Sequence, residues 1–160
     1  MLEALHLAES ELKRAEHLVD VSLKYTRTGD VLKSIIKRIV ASIDYDVEAL
    51  LRFAKENKKI SEIPTLPRLR IEAVREIYAS DPILLDYMAF YNALRRIDKS
   101  EVFKAQSEFR RPVKISVEIA DEKTNKKETV EINIDIISDY FRRTKELLAY
   151  ARIVIEGKKE

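Results

Sequence analysis

Nine basic side chains gather on either side of one short stretch of the chain: Arg95, Arg96, Lys99, Lys104, Arg110, Arg111, Lys114, Arg142 and Arg143. Guanidinium groups grip phosphate oxygens through paired N–H donors, so a cluster of this kind is what an RNA- or DNA-binding face needs. The arginines Arg95, Arg96, Arg110, Arg111, Arg142 and Arg143 are therefore the candidate nucleic-acid residues. Asp98, Glu101, Glu108 and Asp139 are interleaved with them. The plainer reading is a network of ion pairs internal to the fold.

Other chemistry is thinly represented. His6 and His17 are the two histidines; three helical turns apart, at ~1.5 Å per residue they stand about 16 Å from each other, too far to share a metal. They read as solvated or half-buried side chains. Asp44, Asp46 and Glu48 crowd one helix, Asp44 and Glu48 on one face at i,i+4 and Asp46 on another. A carboxylate metal site needs ligands converging from several elements, so these acids are expected to lie on the solvent side, opposite the apolar stripe, and no metal or cofactor is expected. Tyr87, Tyr91 and Arg95 rise along one helix face near Tyr78 and Phe90. Such a stripe can stack on bases, but it also suits a core edge or a subunit contact. There is no glycine-rich phosphate loop, zinc signature or nucleophile elbow.

Composition bounds the rest. The chain has 160 residues, 46% apolar and 36% charged, with 30 basic against 28 acidic side chains and a net charge of +2. So even a balance gives no global field toward a polyanion. The absence of cysteine excludes a disulfide scaffold, thiolate metal sites and a cysteine nucleophile. Acids near Met1 argue against a signal peptide, and no run approaches the ~18 apolar residues of a membrane span. A cytoplasmic protein with no membrane partner is expected. Abundant Lys, Glu, Arg and Ile with one glutamine and two glycines is a hyperthermophile-like balance, in which surface charges form ion-pair networks.

The elements that must position these residues follow from apolar periodicity. Helices are predicted over about 2–25, 31–57, 67–79 and 82–109, and a last one over about 137–156. The second has the widest stripe and is read as the central helix; Ala8 and Ala15 on the first would allow close approach of a partner helix. Asp30 is a candidate cap for the second helix, Pro82 a first-turn proline after Asp81, and Asp135 or Ser138 a candidate cap for the last. Between Arg110 and Phe141 the period changes to two. Val113, Ile115, Val117 and Ile119, then Val130, Ile132, Ile134 and Ile136, mark a β-hairpin over about 113–136 with one oily face. A lone hairpin is marginal in water, so that face must lie on helices or meet another chain. The expectation is a single domain over about 1–157, α+β but mostly α: an antiparallel bundle of about five helices with the hairpin inserted before the C-terminal helix.

Ala8-Glu9-Ser10-Glu11-Leu12-Lys13-Arg14-Ala15-Glu16, followed by Ile39 to Leu51 and the late Tyr140…Leu147-Leu148-Ala149-Tyr150-Ala151 helix, resembles the HEPN superfamily of small prokaryotic and archaeal helical bundles. The resemblance covers under half the chain. Active members are metal-independent RNases with an arginine followed four to six residues later by histidine. Here Arg95 and Arg96 are followed by Ser100, Glu101 and Val102, and Arg14 and His17 are too close. The resemblance therefore implies a non-catalytic relative, dimeric, with no functional residue carried over. The leading expectation is a non-enzymatic helical scaffold or interaction protein forming a homodimer; the alternatives are an RNA- or DNA-binding module and an RNase relative.

Overall fold

The computed structural model describes residues 1–22, 29–100, 102–106, 114–120 and 126–157. Five helices and a three-stranded sheet follow in the order α1 (Leu2–His17), α2 (Gly29–Glu56), α3 (Pro67–Ile77), α4 (Pro82–Lys99), β1 (Val102–Gln106), β2 (Lys114–Ala120), β3 (Lys127–Asn133) and α5 (Ile134–Gly157). The α+β, mostly helical architecture with a hairpin before the last helix is as the periodicity implies.

α2 is central because its stripe is widest. Leu32, Ile35, Ile36, Ile39, Ile43, Leu50 and Leu51 are completely shielded from solvent, and the helix touches α1, α3, α4, α5 and β2. Burying such a side chain stabilises by roughly 1.5–3 kcal/mol, so α2 is the element on which the core depends. Ala8 and Ala15 are fully buried. At Ala8 the helices come close enough for the Ser42 hydroxyl to donate to the Ala8 carbonyl at 2.8 Å. Glu11 pairs with Arg38 of α2 at 3.2 Å; the two contacts run in opposite chain directions, so α1 and α2 are antiparallel.

Helix ends carry identifiable punctuation. α1 passes into a π-helical segment, Leu18–Ser22, so the α-helix is shorter than the expected run to about 25, and Leu23 to Thr28 lie outside the described residues. α2 already includes Gly29, which puts Asp30 in its first turn rather than at the cap. At its far end Lys59 N–H donates to the Ala54 carbonyl at 2.9 Å, with Lys58 in the left-handed region at φ 59°. Asp81 caps α4 by accepting from the Ile83 and Leu84 amides at 3.0 and 3.2 Å, and Pro82 occupies the first turn.

The expected helix over 82–109 is corrected. α4 ends at Lys99, where Ser100 turns extended, and Val102–Gln106 is a strand antiparallel to β2, with Val102 opposite Val117 and Ala105 opposite Ile115. Val102 and Ala105 fit a 3,4 spacing, but β-branched and aromatic residues there also fit a pleated edge, and pairing with β2 decides. Phe109 lies outside the described residues. The hairpin is likewise trimmed: β2 and β3 pair from Lys114 opposite Asn133 to Ala120 opposite Lys127. Ile134 and Ile136 belong to α5, not to a strand. Asn133 is the reason, since its Oδ1 accepts from the Ile136 amide at 2.9 Å and starts the helix, the role assigned to Asp135 or Ser138.

The oily hairpin face is spent within the chain. Ile115, Val117 and Ile132 are completely buried, β2 against α2 and α4 and β3 against α5.

Candidate functional site

The candidate arginines are distributed over several local partners. Arg95 Nη1 lies 3.8 Å from Asp44 Oδ1 and its guanidinium sits 5.7 Å from the Tyr91 ring centre. Arg142 is bracketed on α5 by Asp139 and Glu146, one turn to either side. Arg143 lies face-on over Phe90 at 4.0 Å. Arg96 is half-buried on α4, while Arg110 and Arg111 lie outside the described residues. Arg95 thus belongs to the α2–α4 seam, and Arg142 and Arg143 to α5.

The aromatic stripe on α4 is mostly a packing element. Phe90 and Tyr91 are buried. Phe90 meets Tyr140 edge-on at 5.8 Å and Tyr87 meets Tyr150 at 6.2 Å, so these rings form the antiparallel seam between α4 and α5. Tyr150 closes it by donating to Asp81 Oδ2 at 2.7 Å; that bond, together with burial, pushes the phenol up to about 12. Tyr78 is buried against α2 and donates to the Leu50 carbonyl at 3.4 Å.

The three acids of α2 separate sharply. Asp44 accepts a short hydrogen bond from the Tyr91 hydroxyl and faces Arg95. Burial raises its carboxyl above the ordinary value, against the opposing pull of Tyr91, Arg95 and Arg70. Glu48 is shared by Arg52 at 3.5 Å and Arg70 at 3.9 Å. These two acids tie α3 and α4 to α2. Asp46, turned about 200° from each of them at ~100° per residue, is not on the solvent side as expected. It is 0% exposed, on the face where Ser42 meets α1, and neither carboxylate oxygen has a donor among the described residues. Burial holds it well above the usual carboxylate range, opposed only by the attraction of Arg152. The helical phase put Asp46 apart from its neighbours; its burial follows from α5 packing beside α1, which periodicity alone does not give.

His6 and His17 are both exposed on α1. Among the described residues no group of three or more His, Cys, Asp or Glu side chains is arranged to hold a metal, and no helix is long and apolar enough to cross a membrane.

Sequence reasoning did not single out the open cleft between α1 and α5. Its volume is about 220 Å³. Leu12, Phe141, Leu148 and Ala149 form the floor, with Glu9, Lys13 and Glu16 along the α1 edge and Lys145 and Arg152 along the α5 edge. Arg152 spans it to Glu9 at 2.8 Å, and Lys13 reaches the same carboxylate at 3.6 Å. Lys145 lies 5.6 Å from the Phe141 ring centre. The wall residues of α5 are spaced at 141, 145, 148, 149 and 152, the signature of one helical face, yet only the pairing of the two helices makes that face a cleft. Compared with protein-family models, curated proteins and solved structures, the chain matches none.

Proposed function

We propose that this chain is a non-enzymatic helical scaffold and interaction protein of the cytoplasm that works as a homodimer, two copies meeting through the α1/α5 cleft. The observation that carries this reading is the charge pattern of the cleft: acids Glu9 and Glu16 with Lys13 between them on the α1 edge, cations Lys145 and Arg152 on the α5 edge, and an apolar floor between. A two-fold axis along the cleft would lay α1 of each protomer on α5 of the other at the same height. Because α1 and α5 are antiparallel, Glu16 would then face Lys145 of the partner subunit, and the same pair would form twice, as isologous contacts require. The hairpin, whose oily face is used by its own helices, is not needed for the contact.

The binding of RNA or DNA by Arg95, Arg96, Arg110, Arg111, Arg142 and Arg143 is the competing proposal. The pairing of Arg95 and Arg142 with carboxylates and the stacking of Arg143 on Phe90 favour self-association over it. On this reading the chain would stand beside the HEPN bundles as a non-catalytic relative.

Light scattering on the eluting peak is the test. A mass of twice the chain's 18.6 kDa at micromolar concentration is expected, weakened by Glu16→Lys or Lys145→Glu singly and recovered by the two together. A monomer at all concentrations overturns the dimer, and a dimer indifferent to both exchanges overturns the cleft as its surface. Salt-dependent binding of labelled RNA or DNA by the monomer would favour the competing proposal.

A further inference from the structure

Asp46 is the feature that the fold leaves unexplained. A fully buried carboxyl with no donor is costly, and among the described residues Asp46 is the buried side chain whose polar atoms lack a partner. It stands one turn beyond Ser42, and Ser42 is bonded to Ala8, so Asp46 faces the seam of α2 with α1. α5 enters the same layer, because Arg152 pairs with Glu9, the residue after Ala8. Of the neighbouring charges, α1 supplies Glu9, with Lys13 and His6 beside it, and α5 supplies Arg152. Glu48 and its partner Arg52 border the start of α1 beside Met1 and Glu3, while Arg95 stands on Asp44 and Arg70 on the outer side of Glu48.

Arg152 is half-buried. Glu9 holds it from outside at 2.8 Å, and Lys13 reaches the same carboxylate more loosely at 3.6 Å, so Glu9 keeps a second cation if Arg152 leaves. Among the described residues Arg152 is the cation whose attraction opposes the burial of Asp46. We propose that Arg152 is shared between two alternative acids, Glu9 at the surface and Asp46 in the core. The bundle exchanges between an outward arrangement, with Arg152 on Glu9 and Asp46 a neutral acid, and an inward one, with Arg152 on ionised Asp46 and Glu9 left to Lys13. Passing from outward to inward breaks the Asp46 O–H bond and releases that proton to solvent; the charge of Arg152 is unchanged. One proton released means that the ratio of inward to outward rises tenfold per pH unit for as long as outward Asp46 stays protonated. Glu9 and Arg152 both form the wall of the α1/α5 cleft. The inward arrangement withdraws a cation from that wall and leaves it more acidic, so the cleft reads pH whatever occupies it. This inference stands independently of self-association.

The test follows the side-chain carboxyl carbon of Asp46 by NMR in the intact, aspartate-labelled chain from about pH 3 to 9. Asp46→Asn assigns the resonance, and wild type is compared with Glu9→Gln and Arg152→Gln. Both comparisons alter partly exposed residues and leave Asp46 in place; circular dichroism checks that each is folded. In wild type the carboxyl is expected to titrate well above an ordinary aspartate. Glu9→Gln frees Arg152 to turn inward and is expected to lower the midpoint by about one unit or more, as a close opposite charge does; Arg152→Gln raises it. A midpoint unmoved by Glu9→Gln, even where Arg152→Gln raises it, shows that Arg152 acts from a fixed position and overturns the exchange. So does a wild-type Asp46 that titrates as an ordinary carboxyl.

Discussion

Lys33 offers the sharpest test of how the helical layer is joined to the sheet. Its ammonium, on the first turns of α2, donates to the carbonyls of Ile97, Asp98 and Ser100 at 2.7, 2.8 and 3.0 Å. These are the unsatisfied acceptors at the end of α4, where a cation is also favoured by the helix dipole. Lys33→Met keeps most of the stem and removes the donors. Ile97 retains the Ser100 hydroxyl at 2.6 Å, so Asp98 and Ser100 lose their lysine donor. At about 1–3 kcal/mol for each orphaned carbonyl, cut by roughly half because Lys33 is only partly buried and water can replace it, the loss comes to about 2 kcal/mol. Relief of the ammonium's desolvation, which pushes Lys33 below its ordinary value, and loss of the dipole contribution roughly cancel. For a chain of this size that is a fall in Tm of roughly 4–8 °C, read by thermal melting and by urea titration with unchanged slope. Hydrogen exchange of the β1 amides should accelerate with it, since β1 begins two residues after Ser100. Lys33→Arg should not restore stability, because a planar fork cannot converge on three carbonyls as an ammonium does. A loss below about 0.5 kcal/mol for Lys33→Met, or full rescue by arginine, refutes the clamp.

Other consequences are accessible to the same measurements. Tyr91→Phe removes the hydrogen bond that holds the Asp44 carboxyl down against burial, and should cost about 1–2 kcal/mol at pH 7. Because Asp44 is an acid raised in the fold, its contribution is best below the unfolded carboxylate value of about 3.9 and declines as pH climbs through the folded one. The effect of Tyr91→Phe should therefore shrink toward pH 4, and an equal loss at both pH values counts against the assignment. Lys58→Gly relieves a left-handed residue at φ 59° and should stabilise by about 0.5–1 kcal/mol after the added freedom of the unfolded chain; destabilisation in a melt would show that the Lys58 side chain matters more than its backbone. Arg143→Ala removes a cation stacked 4.0 Å over Phe90 and should cost about 0.5–2 kcal/mol in a thermal melt, with Arg143→Lys, which keeps the charge, recovering part of the loss.

What the sequence disclosed and what it concealed divide along a physical line. Periodicity found α2, since seven completely buried aliphatic side chains on one face leave no other solution. It found Asp81–Pro82 as a helix start because capping is local chemistry. It misjudged Val102–Gln106, whose few residues satisfy both periods until β2 supplies a partner. It carried the hairpin too far, because Ile134 and Ile136 continue an alternation that Asn133 interrupts with its side chain rather than its hydropathy. The basic cluster was legible as a set of residues, but not as a set of pairs. Arg95 finds Asp44 from 51 positions away, a contact that exists only after α4 docks on α2.

Asp46 shows the same limit from the opposite side. Asp44 and Glu48, two residues to either side of it, are both matched with arginines from other helices. With 30 basic side chains in the chain, a cation for the third acid would not be hard to supply, and a leucine or alanine there would remove the cost altogether. The core instead holds an acid on which Arg152 acts while bonded outward to Glu9. Local rules are obeyed closely elsewhere: caps on α4 and α5, filled hairpin face, paired surface charges. A departure of this kind at the seam of three helices, beside the cleft formed by two of them, is where a sequence trades stability for a second arrangement. Asp46→Asn should therefore change little in the fold yet flatten the dependence of stability on pH. In wild type that stability falls as pH rises from the unfolded carboxylate value toward the raised folded one. A variant whose stability still falls across that range would move the origin of the effect to Asp44.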